Sequence, residues 1–142
     1  MTSTTNLIAP TRTTRRSAAG GRLWRTGALA GFAASVATAA VAVLAHALGV
    51  SSKIAGEAIP PVGFAQVTFM AVIVGTILAV VLAHRAARPR HTFVTTTVVL
   101  TLVSIVPDAL VDAGVATKLT LALTHIVAAA IVIPALASRL TD

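Results

Sequence analysis

Four long apolar runs constrain this chain more than any other feature of its sequence. They cover about residues 23–48, 62–83, 92–111 and 117–140. A helix needs about 20 predominantly apolar residues to cross a bilayer, because each residue rises about 1.5 Å and the hydrocarbon core is about 30 Å thick. Charged residues make up only 11% of the chain, against roughly 25% in an ordinary soluble domain. The pattern predicts an all-α fold, an integral membrane four-helix bundle with short loops.

The segment before the first run has a different composition. Residues 1–22 are rich in Thr, Ser and Gly and contain four arginines. Such a segment cannot bury enough apolar surface to offset the entropy of ordering, so we expect a disordered basic cytoplasmic tail followed by a membrane domain over 23–142. A signal peptide cleaved near Ala45-His46-Ala47 is the alternative, but the apolar part of a signal peptide is about 7–15 residues long, shorter than this first run.

The distribution of basic residues predicts the orientation. The chain has 11 Lys and Arg residues, and only Lys53 and Lys118 fall in the first and third loops. The other nine lie in the N-terminal segment up to Arg25, in the connector HRAARPRH (84–91) and at Arg139. By the positive-inside rule both termini and this connector lie in the cytoplasm, which requires an even number of spans and agrees with four. We therefore expect a multi-pass protein of the cell inner (plasma) membrane.

The same basic residues, together with one stripe of small residues, predict which partners this chain binds. The basic residues are not interleaved with aromatic residues, so we expect the lipid bilayer rather than nucleic acid as the partner of the positive charge. In the first run, Gly27 and Gly31 form a GxxxG motif that Ser35 and Ala39 continue at the same spacing. This spacing predicts close helix packing. Packing within the chain is the favoured interpretation, and contact with a second copy or another membrane protein is the alternative.

Four polar residues fall in the outer half of the predicted membrane domain. They are His46, Gln66, Asp108 and His125, and His125 is the most deeply embedded. Ionisable residues at such depth are costly and usually face the interior of the bundle. One hypothesis is that His125, Asp108 and His46 converge, to relay protons or to bind a metal ion such as zinc. The other is that each binds a hydroxyl or a carbonyl and serves packing. Asp108 ends a stripe on one helical face that also contains Thr97, Thr101 and Ser104.

No motif of a soluble enzyme is present. The chain has no Cys, no HExxH, no GxSxG and no glycine-rich phosphate loop, so we assign no catalytic residue, cofactor or metal site. The leading functional hypothesis is a non-enzymatic packing or helper subunit. The alternative is a small transporter or proton-linked channel that uses Asp108 and His125. A third is a metal-dependent enzyme embedded in the membrane.

Four stretches carry a resemblance to a known family. They are RLWRTGALAGFAAS (22–35), PPVGFAQV (60–67), TFVTTTVVLTLVSIVPD (92–108) and LTHIVAAAIVIPALASRL (123–140). Together they resemble an uncharacterised family of small four-helix membrane proteins of high-GC bacteria, catalogued as domain of unknown function 6069. The resemblance implies the same four-span fold and no activity. Small multidrug-resistance transporters also have four helices, but they depend on a glutamate in the first one, and the first run here has no acidic residue.

Overall fold

The predicted four-span architecture is confirmed by the computed structural model of the protein. The structure describes the backbone of residues 12–50, 53–54, 57–58 and 60–142, and the side chains of residues 20–50 and 60–142. Within these residues the chain forms helices α1 (Arg12–Ala47), α2 (Pro61–Arg85), α3 (Pro89–Leu110) and α4 (Val115–Ala137). All four are long and apolar enough to cross a membrane. In the loop between α1 and α2, strands β1 (Lys53–Ile54) and β2 (Glu57–Ala58) pair in an antiparallel hairpin.

The helix ends differ from the predicted ones by three residues or more in three places, one of which is the end of α4 at Ala137 rather than at residue 140. Helix α1 begins at Arg12, whereas we expect an unstructured tail through residue 22; the part of that tail in residues 1–11 lies outside the described residues. Once an apolar span has formed, adding further turns costs little, because each new residue gains a hydrogen bond. Helix α3 begins at Pro89 rather than at residue 92. Proline suits a first helical position, because its φ is preset and the N–H it lacks would have no partner there.

The helices pack in a ring whose tightness varies. Helix α1 packs against α2 and α4, α3 packs mainly against α4, and α2 and α3 pack loosely. One buried cluster joins all four helices through Leu23, Ala79, Phe93 and Leu136. This cluster lies where α1 enters the bundle, α2 ends, α3 begins and α4 ends. The arginines of α1, of the α2–α3 connector and of the C-terminal segment therefore share one end of the molecule.

Large apolar side chains cover the outside of the bundle. Leu29, Phe32, Val74 and Leu102 are between 61% and 74% exposed, and many similar residues accompany them. In water so continuous an apolar surface would drive association. In lipid it has no such cost, because the acyl chains are as apolar as the side chains. The four apolar helices and this surface together describe a multi-pass membrane protein.

The stripe of small residues on α1 packs against α2. A Cβ atom built on Gly27 would overlap the Thr76 side chain, and one on Gly31 would lie 3.2 Å from Val72 Cγ1. One to three turns further along α1, the Ser35 hydroxyl donates to the Ala65 carbonyl over 3.0 Å. The structure therefore places this face in an intramolecular seam.

Candidate functional site

Two of the four predicted polar residues meet between α3 and α4. His125 Nδ1 lies 3.0 Å from Asp108 Oδ2, and the exposed fractions of the two side chains are 37% and 16%. The helices run antiparallel, since Lys118 contacts Ala109 at one end and Asp142 contacts Arg90 at the other. Every Cα–Cβ bond in a helix tilts toward the N-terminus of that helix. The two side chains therefore lean toward each other along the seam, which brings the ring to the carboxylate.

The atoms around Nδ1 determine where its hydrogen lies. Nδ1 is also 3.0 Å from the Leu121 carbonyl oxygen, with hydrogen-bond geometry. Asp108 Oδ2 is buried and has no hydrogen-bond partner among the described residues, although it lies 3.0 Å from Nδ1. The Leu121 carbonyl can only accept, so in the hydrogen bond between them Nδ1 carries the hydrogen and donates it to Leu121. In the neutral ring the other nitrogen, Nε2, is then an unprotonated acceptor.

His125 lies deep in the membrane domain, and Asp108 reaches it from nearer the end of α3. His125 is ten residues from the first residue of α4, Val115, which corresponds to about 15 Å along the helix axis. The hydrocarbon core is about 30 Å thick, so the Cα atom of His125 lies near its middle. Asp108 is in the last turn of α3. Intramembrane ionisable residues at this depth commonly mark ion or substrate pathways.

A groove runs beside the pair, between α2, α3 and α4. It has a volume of about 570 Å³, is open on one side, and is lined mostly by apolar side chains. This volume lies within the range of roughly 300–1,000 Å³ that is usual for small-molecule sites. His125 lines the groove, whereas Asp108, 3.0 Å from its Nδ1, does not. Three residues of the predicted α3 stripe line the same groove: Thr97, Thr101 and Ser104.

His46 and Gln66 do not join the pair. His46 lies on the exposed side of α1 beside buried Ala45, because successive helical residues are rotated by about 100°. Gln66 is exposed on α2, two residues after buried Phe64 and so about 200° around the helix from it. Neither side chain lines the groove. Among the described residues, no three His, Cys, Asp or Glu side chains lie close enough together to bind one metal ion.

Two polar contacts that the sequence does not predict fix the ends of α3. The Asp142 carboxylate accepts hydrogen bonds from the backbone N–H groups of Arg90 and His91, over 2.8 and 3.2 Å. It acts as a cap for an N-terminus that has no cap of its own. At the other end, Lys118 Nζ donates to the Ala109 carbonyl over 2.8 Å. Lys118 is in the first turn of α4. A basic residue soon after a helix end can bind the last carbonyls of that helix, and this was the only sequence feature that could have predicted the contact.

One comparison with known proteins finds a match for this chain. No curated protein and no solved structure matches the chain. A family of unknown function, DUF6069, matches residues 18–142, which include all of α2, α3 and α4 and most of α1. The chain therefore belongs to the family of unknown function DUF6069.

Proposed function

We propose that this protein is a small non-enzymatic transporter that moves protons in step with a ligand bound in the groove. The observation that carries the proposal is the 3.0 Å separation between His125 Nδ1 and Asp108 Oδ2, with His125 on the groove wall. Imidazole changes its charge near neutral pH, so histidine is suited to gaining and losing a proton in a transport cycle.

The proton-binding atom is Nε2 of His125. Nδ1 already holds a hydrogen, which it donates to Leu121, so a proton that arrives from the groove binds the second nitrogen. The resulting imidazolium is neutralised by Asp108 at 3.0 Å. His125 lines the groove wall, and in this proposal a ligand in the groove contacts Nε2. Proton binding and ligand binding are then coupled at one atom.

A flux assay in proteoliposomes tests this proposal. The purified protein is reconstituted with a pH-sensitive dye inside, and a pH gradient is imposed with and without a low-molecular-weight cell extract on both sides. We expect faster collapse of the gradient than in protein-free liposomes, in at least one of the two conditions. His125→Leu and Asp108→Asn should both abolish the acceleration, because each removes one member of the pair.

His46→Asn is the matched control, since His46 is exposed and does not line the groove. This variant should retain the wild-type flux. If wild-type protein does not accelerate collapse in either condition, or if His125→Leu leaves the acceleration unchanged, the transport proposal is wrong.

We further propose that both termini and the α2–α3 connector lie in the cytoplasm, in the plasma membrane. The clustering of arginines at one end of the bundle supports this orientation. The natural chain has no cysteine, so single-cysteine variants report one site each. With intact cells, an impermeant maleimide should label Asp112→Cys and should label Ala87→Cys only after permeabilisation. The reverse pattern would invert the topology.

A helper subunit for another membrane protein is the second candidate function. Its support is the sparse packing of α3. Only 6% of the apolar stretch of α3 is buried inside the protein, against 28% for the corresponding stretches of α1 and α4. A photo-crosslinker at Leu102, which is exposed on α3, should then give one defined adduct in cells. The same group at Leu29, which is exposed on α1, should give only lipid adducts. A defined adduct together with an absence of flux would favour this function over transport.

A further inference from the structure

The groove presents hydrogen-bond acceptors and no free donors. On α3, the hydroxyls of Thr97, Thr101 and Ser104 each donate to the backbone of their own helix, over 2.7 to 2.8 Å. A hydroxyl has one hydrogen, so these three side chains keep only lone pairs for a ligand. The whole α3 wall of the groove is therefore an acceptor surface.

The other polar side chains that line the groove follow the same rule. Thr124 of α4 donates to the Leu121 carbonyl over 2.7 Å. Thr68 of α2 lies 3.1 Å from the Thr38 hydroxyl, and Thr38 donates its own hydrogen to the Ser35 carbonyl, so Thr68 must be the donor of the pair. His125 likewise uses its Nδ1 hydrogen on Leu121. Every polar side chain described in this groove thus faces a ligand with lone pairs alone.

An ionised Asp108 beside a neutral His125 would leave one negative charge next to this acceptor surface. Asp108 Oδ2 lies 3.0 Å from the ring, and the α2 residues that line the groove include no titratable group. Lys118 is the nearest cation along α4, but it binds the Ala109 carbonyl and makes no ion pair with Asp108. His46, on α1, and Asp112, in the loop after α3, are both exposed. Either a proton on Nε2 or a cationic ligand in the groove would place a positive charge at the ring beside this carboxylate.

We infer that the groove binds an apolar amine in its protonated form, and that the amine exchanges with a proton on His125 Nε2. An ammonium group supplies both the positive charge and the N–H donors that the groove lacks. When the ammonium group binds, the imidazolium loses its Nε2 proton to water, and Nε2 becomes an acceptor for the ligand. One positive charge enters and one leaves, so the pair stays neutral throughout. This inference rests on the proposed transport function and names its substrate class.

The volume agrees with a ligand of this kind. A cavity of about 150 Å³ lined by apolar side chains is large enough for benzene, and this groove has about 570 Å³. An amine with one or two fused aromatic rings fits, with its head at His125 and its rings against Val132 and Leu78.

Four probes with one ring system and different heads test the substrate class. They are 1-naphthylmethylamine, its trimethylammonium analogue, 1-naphthylmethanol and 1-naphthoate, each titrated into phosphatidylcholine nanodiscs with and without the protein. Naphthalene emission measures binding. The amine should bind. The quaternary cation has the charge but no N–H donor, and the alcohol has a donor but no charge, so each should bind roughly tenfold more weakly or worse. The carboxylate should not bind above the protein-free control.

Variants then separate the charge from the acceptor. Asp108→Asn should remove the preference for amine over alcohol, because the carboxylate supplies the charge. His125→Asn should retain an acceptor but abolish the release of a proton on binding in weakly buffered solution. Wild-type protein should release up to one proton per amine when His125 is protonated at the start. His46→Asn should match the wild type in every assay.

Alcohol binding as tight as amine binding, or an unchanged amine preference in Asp108→Asn, overturns the inference. The amine is also added to the proteoliposome assay. If cell extract accelerates collapse of the pH gradient and the amine does not, the transport function stands and the substrate class is wrong. If neither acts, both proposals are wrong.

Discussion

The two halves of this bundle are held together by different kinds of contact. No ion pair joins α1 to α2 among the residues whose side chains the structure describes: glycine meets threonine at Gly27 and Thr76, and two hydroxyl hydrogen bonds join the helices further along. The seam between α3 and α4 depends on charged groups, which are the Asp108–His125 pair, Lys118 at one end of α3 and Asp142 at the other.

This difference matters for the proposed transport function. The contacts that join α1 and α2 involve no group that a proton would charge. In the proposed cycle His125 gains and loses a proton, so the α3–α4 contact would change strength while the α1–α2 contacts would not. Helices α2 and α3 pack loosely, which would allow α3 to move without disturbing the first seam. The groove lies where the two kinds of seam meet.

The largest expected effect is in the uncharged seam. Gly27→Ala places a methyl group against Thr76, whose buried, β-branched side chain has little room to shift. We expect the free energy of unfolding to fall by about 1–3 kcal/mol, the usual cost of overpacking, as measured by reversible unfolding in mixed micelles. Gly21→Ala is the control on the same helix, where a Cβ meets nothing within 4 Å. If both variants are equally stable, α1 and α2 are not closely packed there.

A smaller effect is expected at the charged pair. A double-mutant cycle of Asp108→Asn and His125→Asn should give a coupling free energy of roughly 1 kcal/mol, within the range seen for polar pairs between membrane helices. The cycle of Asp108→Asn with His46→Asn should give a coupling near zero, because His46 is exposed on another helix. Equal couplings in the two cycles would mean that the 3.0 Å contact contributes nothing specific.

The smallest effect is expected at the first turn of α3. Asp142→Ala removes the carboxylate that accepts from Arg90 and His91, and this exposed cap should contribute about 0.5–1 kcal/mol. Hydrogen exchange of those two amides should accelerate, while amides in the middle of α3 keep their rates. Asp112→Ala is the control, since Asp112 is exposed and makes no hydrogen bond or ion pair with the described residues. Unchanged exchange in Asp142→Ala would show that the cap does not hold the helix end.

Two of the four polar residues that the sequence analysis singled out form the candidate site. Convergence of Asp108 and His125 was one of two hypotheses, the other being that each binds a hydroxyl or a carbonyl and serves packing; the α3 stripe that leads to Asp108 supported the first. His46 and Gln66 met the same criterion of depth and are not part of the pair. Depth follows from position along a helix, whereas convergence depends on the rotation of each helix about its own axis.

The number of spans and the end of the bundle that carries the arginines followed from the sequence alone. A bilayer requires about 20 apolar residues for each helix and keeps arginine out of the hydrocarbon core, so the linear pattern determines both. Only the tertiary structure decided the rotation of the helices and the gap between α2 and α3. In lipid an apolar side chain gains little by facing inward, so the pattern of apolar residues does not predict which face of a helix is buried. The fit of small residues and a few polar contacts decides it.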